Sequence, residues 1–214
     1  MKHTHRVLLF FTLFCIALNT YNCIALRTIY PAYLIWNLFL AYLPYLFTDY
    51  FEKSINHNRP AWIQLFLFFA WLFFFPNTIY MVTDFIHLYD QIILPVWFDI
   101  VQIFSFTWVA CLLGFLSLYK IEQIITRKFY PAAGRTLVIT VGILSSIGIY
   151  IGRELRWNSW DIFIQPWNIF IDLIHTMAHI STALPVLGMV ILFSGLFFGV
   201  YFSLRALAQH TNNQ

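Results

Sequence analysis

Long apolar runs alternate with short polar breaks along the whole chain. Six runs stand out: Val7 to Leu26, Tyr30 to Thr48, Ala61 to Met81, Phe98 to Tyr119, Thr136 to Gly152 and Leu184 to Leu204. Each is near the ~20 residues that carry an α-helix across a hydrocarbon layer. None shows the strict alternation of a half-buried strand, and inside a bilayer only helices and closed barrels satisfy their own backbone polar groups. The expected fold is therefore all-α, a polytopic membrane helix bundle of about six transmembrane helices. Between the fifth and sixth runs, Pro166 is placed for a helix start. Phe170, Leu173, Ile174 and Met177 recur there at helical spacing against Asn168, Asp172, His175, His179 and Thr182. That pattern predicts an amphipathic helix lying in the outer membrane interface, with Trp157, Trp160 and Trp167 beside it as headgroup anchors.

Composition agrees with a membrane setting. Of the 214 residues 61% are hydrophobic and 10% charged, and a mean hydropathy of +0.74 leaves no segment polar enough for a separate soluble domain, so residues 1–214 are read as one integral membrane domain. The first run follows Lys2 and Arg6 but leads into Asn19-Thr20-Tyr21-Asn22, which offers no small-x-small cleavage site, and it reads as a signal anchor. Cys15, Cys23 and Cys111 are odd in number and unpaired in spacing, which points to neither a disulfide framework nor a zinc cluster.

Basic residues near span ends are retained on the cytoplasmic side. With the N-terminus inside, Lys2, Arg6, Lys53, Arg59, Lys120, Arg127, Lys128, Arg135 and Arg205 fall in cytoplasmic segments, and only Arg27, Arg153 and Arg156 fall outside. The net charge of +3 is thus mostly a topology signal, and no nucleic-acid partner is expected. Both termini are expected in the cytoplasm, in a plasma or inner membrane.

Two polar, proline-interrupted segments then share the outer face. The first runs from Phe75 through Asp90 to Asp99. Pro76 removes a backbone donor and disfavours helical geometry at Phe75, so the third run is expected to kink or break at Pro76-Asn77, with Asn77 able to bond loosened carbonyls. Asp84 and His87 stand three apart, on one face if the chain is helical there. The second segment runs from Gly152 to Asp161 and carries Arg153 and Arg156, the natural counter-charges for Asp84, Asp90 and Asp99. Such pairs serve equally to lock spans together or to build a reactive site.

In the reactive reading, Asp84 or Glu154 is a general base, His87 shuttles protons, and Arg153 with Arg156 holds an anionic headgroup or phosphate. Asn77, Tyr80, Asp99, Asn158, Trp160 and Asp161 are candidate substrate contacts around them. Asp172, His175 and His179 fall at i, i+3 and i+7, a spacing able to present three ligands to a metal. No HExxH or second ligand motif accompanies them, so a solvated polar face is the plainer reading and no metal is assigned. The cytoplasmic loops show no Gly-rich phosphate loop, there is no GxSxG and no Cys beside a His base, and any cofactor stays unknown from the sequence. Gly148-x-x-x-Gly152 and Gly195-x-x-x-Gly199 are read as close-packing positions.

Three functions compete. One is an enzyme acting on a lipid or lipid-linked anionic substrate at the outer interface. Another is a small-solute or ion-coupled transporter, which wants its site nearer the midplane, where Asn37 is among the few polar residues. The third is a non-catalytic membrane scaffold or envelope factor. The strings Trp36-Asn37-Leu38-Phe39-Leu40-Ala41-Tyr42-Leu43-Pro44, Pro76-Asn77, Thr83-Asp84, Ile86-His87-Leu88, Pro95-Val96-Trp97-Phe98-Asp99, Gly114-Phe115-Leu116-Ser117, Gly152-Arg153 and Leu155-Arg156-Trp157-Asn158-Ser159-Trp160-Asp161 resemble, in order, the bacterial membrane family called domain of unknown function 1361. The resemblance spans roughly residues 26 to 205. It implies a multi-span bacterial inner or plasma membrane protein and brings no activity, substrate or cofactor.

Overall fold

The computed structural model describes residues 2–89, 94–158 and 160–212, and no strand occurs among them. Its helices are α1 (Lys2–Leu26), α2 (Tyr33–Asn56), α3 (Ala61–Phe74), α4 (Asn77–Tyr80), α5 (Val96–Lys128), α6 (Pro131–Arg153), α7 (Asp161–Ile164), α8 (Pro166–Ala178) and α9 (Ile180–Asn212), with 3-10 turns at Tyr30–Ala32 and Met81–Tyr89. Asp90 and Ser159 lie outside the described residues. Prolines punctuate the chain as their chemistry dictates: Pro131 and Pro166 open α6 and α8, where a missing N–H is no loss.

Among the described residues five helical stretches are long and apolar enough to cross a membrane: Thr4–Leu26, Ala61–Leu88, Val96–Lys128, Pro131–Arg153 and Ile180–Ala208. They correspond to five of the six expected runs. The remaining run became α2, whose 24 residues reach about 36 Å. Its Trp, Tyr, Asn and Asp content makes it less apolar than the other five. Yet Leu34, Leu38, Ala41, Pro44, Thr48, Phe51 and Ser54 are buried along one face for its whole length.

The third run breaks where expected, α3 ending at Phe74 and α4 opening at Asn77. Phe75 itself departs from expectation only in its dihedrals, which stay helical at φ −57° and ψ −40°. Around the break two side chains bond nearby carbonyls: Asn77 Nδ2 donates to Phe74 O at 3.0 Å, and Thr78 Oγ1 joins the Thr78 backbone N–H in donating to Phe75 O, at 2.8 Å and 3.0 Å. The bond pattern then tightens to 3-10 over Met81–Tyr89, a long stretch for that geometry.

The chain divides into two compact units, one up to Ser117 and one from Leu118. In unit 1, Leu8, Cys15, Leu34, Leu38, Ala41, Met81, Ile103, Phe106, Val109, Ala110 and Leu113 form the core. Helix α5 packs there on the Ala61–Leu88 path through small and polar contacts. Thr107 Oγ1 donates to Met81 O at 3.0 Å, and Trp71 Nε1 to Ser117 Oγ at 3.1 Å. Between them a Cβ on Gly114 would fall inside the Thr78 side chain, so only glycine allows this approach. Without a hydrophobic drive between helices in lipid, such close contact and buried hydrogen bonds are what hold spans together.

In unit 2, α6 and α9 pack together. Gly142 accommodates Phe197 and Phe198, and Ser194 Oγ donates to Ser146 Oγ at 3.0 Å. The Gly195-x-x-x-Gly199 expectation does not hold within the chain, because both glycines face open space and the intimate contact falls at Gly142.

Candidate functional site

At one end of unit 1, α1 finishes, α2 begins, the Met81–Tyr89 turn finishes and α5 begins. Polar groups gather there. In a 3-10 turn, residues three apart eclipse, so Met81, Asp84 and His87 form one stripe. The stripe meets α2 in two rungs. Asn37 Nδ2 donates to Asp84 Oδ2 at 3.0 Å, and one helical turn earlier the Tyr33 ring lies 5.3 Å from the His87 imidazole. Asp84 is only 1% exposed, whereas His87 is half-buried. The carboxylate and imidazole expected on one face do share it, with the carboxylate sealed from solvent and the imidazole at a cleft.

That cleft has about 40 Å³ of room for water-sized groups and is lined in part by Asn22, Tyr33, His87, Asp99 and Gln102. Asn22 Nδ2 donates to Gln102 Oε1 at 2.6 Å, and Asp99 also bonds the Asn22 amide. Asn19 Nδ2 donates to Pro31 O at 2.7 Å, fixing the end of α1 to the Tyr30–Ala32 turn. Neither Asn22 nor Gln102 was among the candidates. A signal for Asn22 existed: Leu8, Thr12, Cys15, Asn19 and Asn22 repeat at four and three residues, one buried face of α1 that turns from apolar to amide along its length. Of the other candidates in unit 1, Asn77 donates to Phe74 O across the break, and Tyr80 is half-buried with its carbonyl accepting from Thr83 Oγ1.

In unit 2, Arg153 ends α6 and is half-buried, while Glu154 and Arg156 are exposed. Arg156 adopts the left-handed conformation at φ 59°, which turns the chain back so that Trp157 N donates to Ile151 O at 3.2 Å. Trp157 Nε1 donates to Asp172 Oδ2 at 3.0 Å, tying this loop to α8. Asn158 N donates to Asp161 Oδ2 at 2.6 Å, closing the turn into α7 beside Trp160. Opposite the polar side, Phe163, Trp167, Phe170, Ile171, Ile174 and Met177 present an exposed apolar stripe along α7 and α8. The helix expected from Pro166 onward is thus present, with the amphipathic face of an interfacial element. His179 is extended at φ −116° and ψ 130°, off the helix that carries Asp172 and His175. The i, i+3, i+7 geometry is lost, and among the described residues no group of three His, Cys, Asp or Glu is placed to hold a metal.

A second cluster in unit 2 was not anticipated. Glu122 is buried, and each of its oxygens has a donor: Tyr201 Oη on Oε2, and Arg205 Nη1 on Oε1 at 2.5 Å. Arg205 was read only as a topology marker, and Tyr201 and Arg205 stand 79 and 83 residues from Glu122 in sequence.

Described residues that are all helical, with five helices long and apolar enough to cross a bilayer and buried polar bonds between helices, define a polytopic helical membrane protein. Residues 36–201 match the family model described as Protein of unknown function (DUF1361), which is most of the chain, and the protein belongs to that family. Among curated proteins and among solved structures nothing matches.

Proposed function

We propose that this membrane protein acts on a lipid or lipid-linked anionic substrate, with Arg153 and Arg156 binding the anionic group at the extracytoplasmic interface. The supporting observation is the coupling of the arginine loop to the polar side of α8 through the Trp157–Asp172 bond, while α7 and α8 turn large apolar side chains outward. An element of that kind settles at the boundary of headgroups and acyl chains, the depth at which guanidinium groups meet phosphates. Of the two candidate bases, Glu154 is exposed beside these arginines and Asp84 is sealed under Asn37. Glu154 therefore takes the general-base role in this reading. Asp84 sets the position of the Met81–Tyr89 turn, and with it His87.

The test compares extracted lipids and envelope precursors from cells lacking the protein, cells restored with it, and cells carrying Arg156→Ala or Glu154→Gln at matched expression. A species that accumulates without the protein, is cleared by the wild type and persists in both variants supports the reading. Unchanged lipids in every strain overturn it.

One observation favours a second reading, a small-solute or ion-coupled carrier: the buried Asn37–Asp84 bond lies on a helical path interrupted by Pro76 and continued in 3-10 geometry. Solute uptake that depends on Asp84 with lipids unchanged would select it.

A further inference from the structure

We infer that the cleft at the end of unit 1 binds a primary ammonium group carrying an adjacent oxygen, the chemistry of an amino alcohol or of an ethanolamine headgroup. This site is built from unit 1 residues alone and does not rest on the reading given above. Two buried polar atoms carry the inference. Asn22 is 5% exposed and Gln102 1%, both line the cleft, and Asn22 Oδ1 and Gln102 Nε2 have no hydrogen-bond partner. Buried side-chain polar atoms are satisfied in the large majority of cases, and a pair of orphans at a cleft asks for an occupant.

The orientation of the pair is set by chemistry. A carboxylate only accepts, so the Asn22 amide nitrogen turns to Asp99 and to Gln102 Oε1, which leaves the Asn22 oxygen and the Gln102 nitrogen open. What remains beside Asn22 and Gln102 is one acceptor, one donor and the Asp99 carboxylate, with the His87 imidazole also in the lining. Among the described residues no Lys or Arg lines the cleft, whereas the aromatic residues Tyr30 and Tyr33 do. A bare metal cation would satisfy the oxygens but oppose the amide N–H. An ammonium donates to Asp99 and to Asn22 Oδ1, its neighbouring oxygen accepts from Gln102 Nε2, and an aromatic wall favours a cation. The room available, about 40 Å³, holds a few water-sized groups, enough for a small headgroup tip.

The experiment measures the unfolding midpoint of the full-length protein, purified in detergent free of ethanolamine lipids, by intrinsic tryptophan fluorescence. Ethanolamine, choline and potassium chloride are compared at equal ionic strength. A ligand that binds only the folded state raises the midpoint. Ethanolamine is expected to raise it by several degrees and choline, which has no N–H, by much less. Asp99→Asn should abolish the ethanolamine response. So should the double replacement Asn22→Leu with Gln102→Leu; should that variant fold poorly, Asp99→Asn alone decides. Nanodiscs with and without ethanolamine phospholipid separate the sources: a midpoint already raised by the lipid and insensitive to added amine assigns the headgroup, and a response to free amine in both assigns the soluble compound. Equal shifts from ethanolamine and choline, equal shifts in wild type and Asp99→Asn, or no shift with any probe would overturn the inference.

Discussion

The Glu122 cluster offers the sharpest test of what holds unit 2 together. Glu122 is 2% exposed, Arg205 26% exposed, and both carboxylate oxygens are occupied by donors from α9. Replacing Glu122 with Ala removes the acceptor for Arg205 and Tyr201 at once. Breaking a buried pair costs roughly 3 to 5 kcal/mol, and the partial exposure of Arg205 moves the expectation toward the lower end, about 3 kcal/mol. Tyr201→Phe deletes one hydrogen bond to a charged oxygen while keeping the ring, and should cost about 1.5 to 3 kcal/mol. Arg205→Ala leaves the carboxylate without its cation and should cost at least as much as Tyr201→Phe. The assay is denaturant or thermal unfolding in detergent, read by tryptophan fluorescence, for wild type, Glu122→Ala, Arg205→Ala and the double variant. If the pair acts as one unit, the double variant is less destabilised than the sum of the singles by at least ~1 kcal/mol. Additivity to within ~0.5 kcal/mol would refute the coupling, however short the contact.

Three further outcomes follow from the packing. Gly114→Val forces a side chain into Thr78 and should destabilise the protein by at least about 1 to 3 kcal/mol, with partial recovery in the Thr78→Ala background; equal midpoints for Gly114→Val and wild type would show that the helices do not approach this closely. Asn37→Leu removes an amide donor from a sealed carboxylate and should cost about 1 to 3 kcal/mol, most of it regained in an Asn37→Leu, Asp84→Leu pair; a double variant no more stable than the single would remove the Asn37–Asp84 bond from the account. In a background without native cysteines, single cysteines at Ile29 and Asn158 are expected to react with a membrane-impermeant thiol reagent on intact cells, and one at Asn58 to be protected. Labelling of Ile29 and Asn58 alike would mean that α2 does not cross the bilayer.

Much of the helical framework was legible because its signals are local. Apolar run length, proline at a first helical position and the spacing of Phe170, Ile174 and Met177 each report on a few neighbouring residues, and Asp84 with His87 fell on one face as three-residue spacing requires. What could not be read was pairing over distance. Asn22 finds Gln102 80 residues away, and Glu122 finds Tyr201 79 residues away, separations that no spacing rule covers. The break at Phe75-Pro76 was legible from the proline alone, but the helical dihedrals of the fully buried Phe75 run against the pre-proline preference, which reports on local sterics only. Small-residue spacing named glycines able to pack but was silent on which face meets a partner, so Gly142 packs and Gly195 does not.

The two buried polar clusters differ in one respect that separates structure from function. Both sit in a chain with few charged residues, where every buried polar group carries a desolvation cost. At Glu122 that cost is offset within the protein, since a phenol and a guanidinium occupy the two oxygens. Nothing further is needed there, and an interhelical clamp accounts for the arrangement. At Asn22 and Gln102 the cost is offset only in part: one hydrogen bond forms between them and one atom of each is left open. If these residues served packing alone, leucines at both positions would do better, because replacing two unsatisfied partners with apolar groups of similar shape is neutral or stabilising. Amides retained at a loss to the unliganded fold are what a binding site requires, and the sign of the stability change in the leucine pair, with no ligand present, decides between the two roles.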